Sequence, residues 1–183
     1  KSDTPTMGGI FMLIPFLIFL LIITINLGSL KLFLLLLTIF GFFITGFLDD
    51  YLSIKNKKNT GLKSKEKFIL QSIISIIFIF FAYEKDFINP LISISDSWEI
   101  NTNIFIFPLS FLVLVGLSNS VNLSDGLDGL AAGCSAIVFC GLGTEILMKE
   151  QKELIIFSIL CYSMSAICLG FLRYNNYPAK IFM

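Results

Sequence analysis

Histidine is absent from all 183 residues, which removes the commonest general base and metal ligand of enzyme sites. Any catalysis by this chain must therefore use carboxylates, lysines or a metal. Cysteine is scarce. The four present, Cys134, Cys140, Cys161 and Cys168, lie within apolar runs and behave as small apolar residues, with no spacing that indicates a disulfide framework or a zinc site. Net charge is also lacking: 13 basic residues balance 13 acidic ones, so overall charge identifies no partner, and a nucleic acid is not expected. The opening residues carry no cleavable-signal pattern, because a polar, proline-containing stretch precedes the first apolar run.

Apolar residues are abundant. They make up 56% of the chain, and the mean hydropathy is +0.88, beyond the roughly 45–50% of ordinary soluble domains. The expected class is an all-α, polytopic transmembrane helix bundle. Six runs of about 16–19 residues are long enough to cross the hydrocarbon layer: Gly9 to Asn26, Leu32 to Leu48, Phe68 to Tyr83, Ile104 to Val121, Leu130 to Met148 and Leu154 to Leu172. Six crossings assign each connecting segment to a side. Residues 1–8, 49–67, 122–129 and 173–183 share one face, which carries Lys1, Lys55, Lys57, Lys58, Lys63, Lys65, Lys67, Arg173 and Lys180. The opposite face has Lys31, Lys85, Lys149 and Lys152. The positive-inside rule makes the first face cytoplasmic. Trp98, the single tryptophan, falls in the longest outer loop.

Every conspicuous polar motif falls on that cytoplasmic face. The densest is Asn119-Ser120-Val121-Asn122-Leu123-Ser124-Asp125-Gly126-Leu127-Asp128-Gly129-Leu130. Ionisable residues at membrane depth are costly and normally line a cavity or substrate path. Asp125 and Asp128, three apart, share a face if the segment is helical or turn-like. Gly126 and Gly129 permit close backbone approach. A capped helix start would account for one acid, but not for two acids with Asn119 and Asn122 just upstream.

Asp49-Asp50 closes another apolar run. As a solvated helix end the pair would be unremarkable, yet it precedes the lysine-rich stretch Lys55 to Lys67. Adjacent helical residues project about 100° apart, so the two carboxylates should have different partners. The lysines act by default as a topology signal attracted to anionic head groups. They also suit a phosphate-rich substrate, and Gly61 is expected to break the loop before the next helix. Thr4-Pro5-Thr6-Met7-Gly8-Gly9 reads on its own as a helix entrance.

In order and wording these motifs resemble the bacterial phospho-N-acetylmuramoyl-pentapeptide transferase family, within the polyprenyl-phosphate N-acetylhexosamine-1-phosphate transferases. The resemblance is carried by Lys1 with Thr4 to Gly9, Gly46 to Tyr51 leading to Gly61-Leu62 and Lys65, Asn119 to Gly133, and Tyr174-Asn175 with Pro178-Ala179 and Phe182-Met183. It implies transfer of phospho-MurNAc-pentapeptide from UDP-MurNAc-pentapeptide to undecaprenyl phosphate, forming lipid I and UMP for peptidoglycan synthesis. It further implies Mg2+ as cofactor, a location in the bacterial inner membrane, a homodimer, and a bundle of ten helices of which six lie in this single-domain piece.

By the same resemblance, Asp49 either deprotonates the lipid phosphate or acts covalently, and Asp50 is its partner acid, both beside the metal. Asn122 and Asp125 border the nucleotide and metal region, and Asp128 contacts uracil beside Gly126 and Leu127. Lys1, Thr6 and Asn175 match pocket positions, Phe182 matches an aromatic that stacks on uracil, and Lys57 and Lys65 match loop lysines. Two departures affect the pocket: the family often has glycine where Asp3 stands and a basic residue where Ser53 stands. The resemblance also implies a Gly-Asp after Met183 whose aspartate is the principal magnesium ligand, so the 183 residues alone are expected to be inactive. Transfer of N-acetylglucosamine phosphate is the alternative within the superfamily. A transporter is the alternative outside it, but its site should lie near the bilayer midplane, whereas these acids cluster at helix ends.

Overall fold

The computed structural model describes residues 5–56, 61–95 and 98–182. Its helices are α1 (Gly8–Leu27), α2 (Leu30–Asn56), α3 (Ser64–Glu84), α4 (Ile106–Phe111), α5 (Leu117–Ser124), α6 (Leu130–Met148) and α7 (Ile155–Asn175). Strands β1 (Leu91–Ser95) and β2 (Trp98–Asn101) lie between α3 and α4. Six helical stretches among the described residues are long and apolar enough to cross a membrane. Each matches one of the six hydropathy runs. The fourth, Asn103–Ser124, is segmented: a 3-10 turn, α4, a π-helical stretch at Leu112–Gly116 and α5 follow one another. Large apolar side chains such as Phe11 (79% exposed) and Ile137 (75%) point outward, as expected where lipid is the solvent.

Three features differ from the hydropathy reading, the first being the start of α3, which lies at Ser64 and not at Phe68. The second span does not stop at Leu48, since α2 continues two turns further to Asn56. Asp49 and Asp50 end the apolar run but not the helix, whose backbone bonds need no apolar side chain. The outer segment, read as a loop, contains an antiparallel hairpin with Ile92 opposite Ile100 and Leu91 opposite Asn101.

The chain divides into two compact units. In the first (residues 1–22 and 121–183), α6 and α7 run antiparallel, with Gly129 meeting Asn175, Ala136 meeting Ser165 and Gly143 meeting Ser158. Small residues line this seam. The Ser158 and Ser165 hydroxyls donate to the carbonyls of Gly143 (2.7 Å) and Ala136 (2.8 Å), the small-residue, hydroxyl-bonded packing that replaces hydrophobic drive inside a bilayer. Met12 of α1 joins Ala132, Ala136, Cys168 and Phe171 in its core.

In the second unit (residues 23–120), α2 and α3 are also antiparallel, with Asp49 beside Lys67, Gly41 against Ile74 and Lys31 over the Phe87 ring. A Cβ at Gly41 would lie 3.1 Å from Ile74, so glycine sets the helix spacing there. The α3 helix packs on the fourth span through edge-on ring pairs, Phe68 with Phe111 and Tyr83 with Phe107.

Candidate functional site

In the second unit the site is built around Asp49, which is half-buried on α2. Its Oδ1 accepts from the Leu62 amide at 2.8 Å, and its Oδ2 accepts from the Lys67 ammonium at 2.9 Å. Lys67 is 15% exposed at its side chain and Asp49 25%, a charge-assisted contact largely screened from water. Local sequence explains how it forms. Glu66 accepts from the Lys63 amide at 3.0 Å and fixes the start of α3, which places Lys67 in the first turn facing inward. Gly61 then lets the loop pass directly over the acid. A Cβ there would collide with the Asp49 carbonyl and carboxylate oxygens, so the glycine is required by close approach and does more than break the loop. Asp50, also half-buried, adds a second negative charge at the same level. Lys65 is exposed in the same first turn, and Lys57 lies outside the described residues.

A second cluster lies in the first unit, at the Asp125–Gly129 turn between α5 and α6. The α6 N-cap is Gly129, in the left-handed region (φ 76°) and without a side-chain cap. The capped helix start that would account for one acid is therefore not formed by Ser124 or Asp125. Asp128 Oδ2 accepts from the Ala179 amide at 3.1 Å. Asn175, 1% exposed, accepts from the Gly129 amide at 3.0 Å and donates to the Ile181 carbonyl at 2.9 Å. One carboxamide thus ties the turn to the end of the described chain.

The front motif completes this cluster. The Phe182 amide donates to the Pro5 carbonyl (2.9 Å), and the Gly8 amide donates to the Phe182 carbonyl (2.8 Å). Thr6 sits exposed inside this two-bond clasp. Met7 turns the chain at φ 71°, a conformation costing on the order of 1 kcal/mol in a non-glycine residue and held here by the clasp. A Cβ at Gly8 would approach both the Phe171 ring and the Phe182 carbonyl to 2.6 Å, so this glycine too is dictated by contact.

The structure therefore brings Thr6, Asp128, Asn175 and Phe182 together in one unit, and Asp49 and Asp50 in the other. Asp125 is half-buried in the turn, whereas Asn122, Gly126 and Leu127 are exposed beside it. Lys1 lies outside the described residues. Lys67, the Leu62 amide and Gln71 were not singled out from sequence. Lys67 is concealed by five neighbouring lysines, but Gln71 was detectable as the one carboxamide in the third apolar run.

For a metal, the donor chemistry is hard oxygen. No group of three or more His, Cys, Asp or Glu residues that could hold an ion occurs among the described residues. The hard oxygen donors at hand are the Asp49 and Asp50 carboxylates, and magnesium usually takes one or two carboxylates and fills its shell with water and substrate phosphates.

Six spans long and apolar enough to cross the bilayer, among the described residues, define a multi-pass membrane protein. Residues 32–183 match the profile of glycosyl transferase family 4, and the chain belongs to that family. Residues 1–13 match signature 1 of phospho-N-acetylmuramoyl-pentapeptide-transferase. The chain is 85% identical over its whole length to the phospho-N-acetylmuramoyl-pentapeptide-transferase of Prochlorococcus marinus strain MIT 9312, covering 51% of that relative. It is 81% identical to the proteins of the same name from strains MIT 9215 and MIT 9301, again over all 183 residues and 51% of each relative. The chain spans about half the length of the curated relatives it matches.

Proposed function

We propose that this chain supplies the Asp49 and Asp128 clusters of an enzyme that transfers phospho-MurNAc-pentapeptide from UDP-MurNAc-pentapeptide to undecaprenyl phosphate. The products are lipid I and UMP. The observation that carries this reading is full-length identity of 85% to a protein of that name, with the signature at residues 1–13 favouring the MurNAc-pentapeptide substrate over N-acetylglucosamine phosphate. The reaction takes place on the cytoplasmic face of the bacterial inner membrane, the side the basic residues select, and the enzyme is a homodimer.

In the reaction, a lipid-phosphate oxygen forms a bond to the sugar-bearing phosphorus of the diphosphate, and the bond from that phosphorus to the UMP oxygen breaks. Two anions must approach each other. Stabilisation of the developing charge is therefore the main requirement, and the second unit supplies it with the Lys67 ammonium held on Asp49. A phosphate monoester has a second pKa near 6, so base assistance from Asp49 is modest. Each Asp49 oxygen takes one protein donor and keeps a second lone pair, so the carboxylate stays open to a metal. Asp50, with Asp49, would hold magnesium, whose chemistry when bound is neutralisation of phosphate charge. In the first unit, Asp128 and Phe182 recognise the uracil base, which is uncharged and planar, through hydrogen bonding and stacking, and Asn175 holds the turn beside them.

The test is to graft the 183 residues into the 85% identical relative in place of its matching half, then reconstitute the graft with both substrates. Lipid I and UMP in equal amounts are expected. Product formed only from UDP-N-acetylglucosamine would overturn the substrate assignment, and no product from either would overturn the activity.

A further inference from the structure

The α3 helix presents a polar stripe to the interior of the second unit: Lys67, Gln71 and Ser75 recur every four residues and therefore share one face. Gln71 is 2% exposed and Ser75 is fully buried. A carboxamide buried at membrane depth is stabilised only when its hydrogen bonds are made. Here they are: the Gln71 Nε2 donates to Ser118 Oγ at 3.3 Å, and its Oε1 accepts from Asn119 Nδ2 at 2.7 Å. Asn119 is itself fixed, since the same Nδ2 donates to the Val115 carbonyl at 2.8 Å. Val115 belongs to the π-helical stretch Leu112–Gly116.

The amide of Gln71 is thus clamped between two consecutive residues of the fourth span. Such a clamp fixes the rotation of α3 about its axis, a degree of freedom that apolar packing against lipid-like surroundings constrains weakly. Rotation matters most one turn earlier. Lys67 reaches Asp49 with a single terminal nitrogen at 2.9 Å, and the partner acid is on a different helix. Turning α3 would force the flexible Lys67 stem into a different, less favourable reach to the carboxylate.

We propose that Gln71 is a positioning residue: through its hydrogen bonds to Asn119 and Ser118 it holds α3 in the rotation that keeps Lys67 on Asp49. This rests on the function proposed above. The carboxamide touches no substrate and exchanges no proton. It acts through Lys67 alone.

The experiment is a double-mutant cycle in the full-length graft, with lipid I formation measured as kcat and KM and with melting temperature followed separately. Activity of the unmutated graft tests the underlying reading independently. Gln71→Leu should lower kcat about tenfold, the scale of one lost buried hydrogen bond, with KM for UDP-MurNAc-pentapeptide changed less than twofold. In a Lys67→Met background the same substitution should cost nothing further in kcat, because the residue it positions is gone. Exchanging the partners, Gln71→Asn with Asn119→Gln, should restore at least half of the loss. An active graft in which Gln71→Leu leaves kcat unchanged would overturn the proposal. So would losses that multiply in the Lys67→Met background in step with a fall in melting temperature, since that is the behaviour of a purely structural residue.

Discussion

The two units hold their acids in opposite ways. In the second, Asp49 meets a cation: the Lys67 ammonium lies on Oδ2, a backbone amide lies on Oδ1, and Asp50 adds a further charge. In the first, Asp128 accepts from the Ala179 backbone amide, and the network beside it runs through Asn175 to Gly129 and Ile181. Charge opposite charge suits a task whose difficulty is electrostatic, as when phosphates are brought together. A turn fixed by backbone hydrogen bonds suits recognition of shape, because a misfit leaves a buried polar group without its bond. The comparison thus divides one proposed reaction into a charge-handling cluster and a recognition cluster.

The largest expected effect breaks the charged side. Asp49→Asn and Asp50→Asn in the graft should each lower kcat by on the order of a hundredfold or more, the scale of removing preorganised charge from a reacting site, while membrane insertion is unchanged. Near-normal lipid I formation by both would remove the charge-handling role from this cluster. Next comes the loop above it. A side chain at position 61 has no room beside Asp49, so Gly61→Val should cost roughly tenfold or more in kcat through displacement of the Leu62 amide. An unchanged rate would show that the Leu62 contact is dispensable.

In the first unit, Asp128→Ala should weaken binding of uridine nucleotides by roughly tenfold, about the cost of one buried donor left without its acceptor. Asp128→Asn retains an oxygen for the Ala179 amide and separates the two roles of the acid: if only that latch matters, calorimetry will show wild-type affinity for the Asn variant. The smallest effects lie in the α6 and α7 seam. Ser158→Ala and Ser165→Ala should each destabilise the protein by about 0.6 kcal/mol, the average for hydrogen bonds between membrane helices, with no change in kcat. A unit-sized loss of activity would mean that the seam is coupled to the chemistry.

How far each feature was legible follows from what signals it. All six spans were readable because hydropathy over about 18 residues is what a bilayer selects. The end of α2 was not, because Asp49 and Asp50 stop the apolar run while Tyr51, Leu52 and Ile54 carry the helix on to Asn56. The outer hairpin carries a signal in the sequence: Ile92 to Ser95 and Trp98 to Asn101 alternate apolar with polar residues, as strands do. In the candidate site, the acids announced themselves by polarity among apolar neighbours. Their partners did not. Lys67 differs from Lys63 and Lys65 only in the direction that α3 points it, and the amides of Leu62 and Ala179 have no side-chain signature at all. Clustering of Thr6, Asp128, Asn175 and Phe182 likewise depends on a return of the chain after α7 that no local pattern specifies.

The division of labour is tested most directly by measuring kcat for lipid I formation and Kd for UDP-MurNAc-pentapeptide in two variants of the same graft. Asp49→Asn should collapse kcat and leave Kd within about twofold, whereas Asp128→Ala should raise Kd about tenfold with a smaller effect on kcat at saturating substrate. The crossed result, in which Asp49→Asn mainly weakens nucleotide binding and Asp128→Ala mainly slows transfer, would contradict the account.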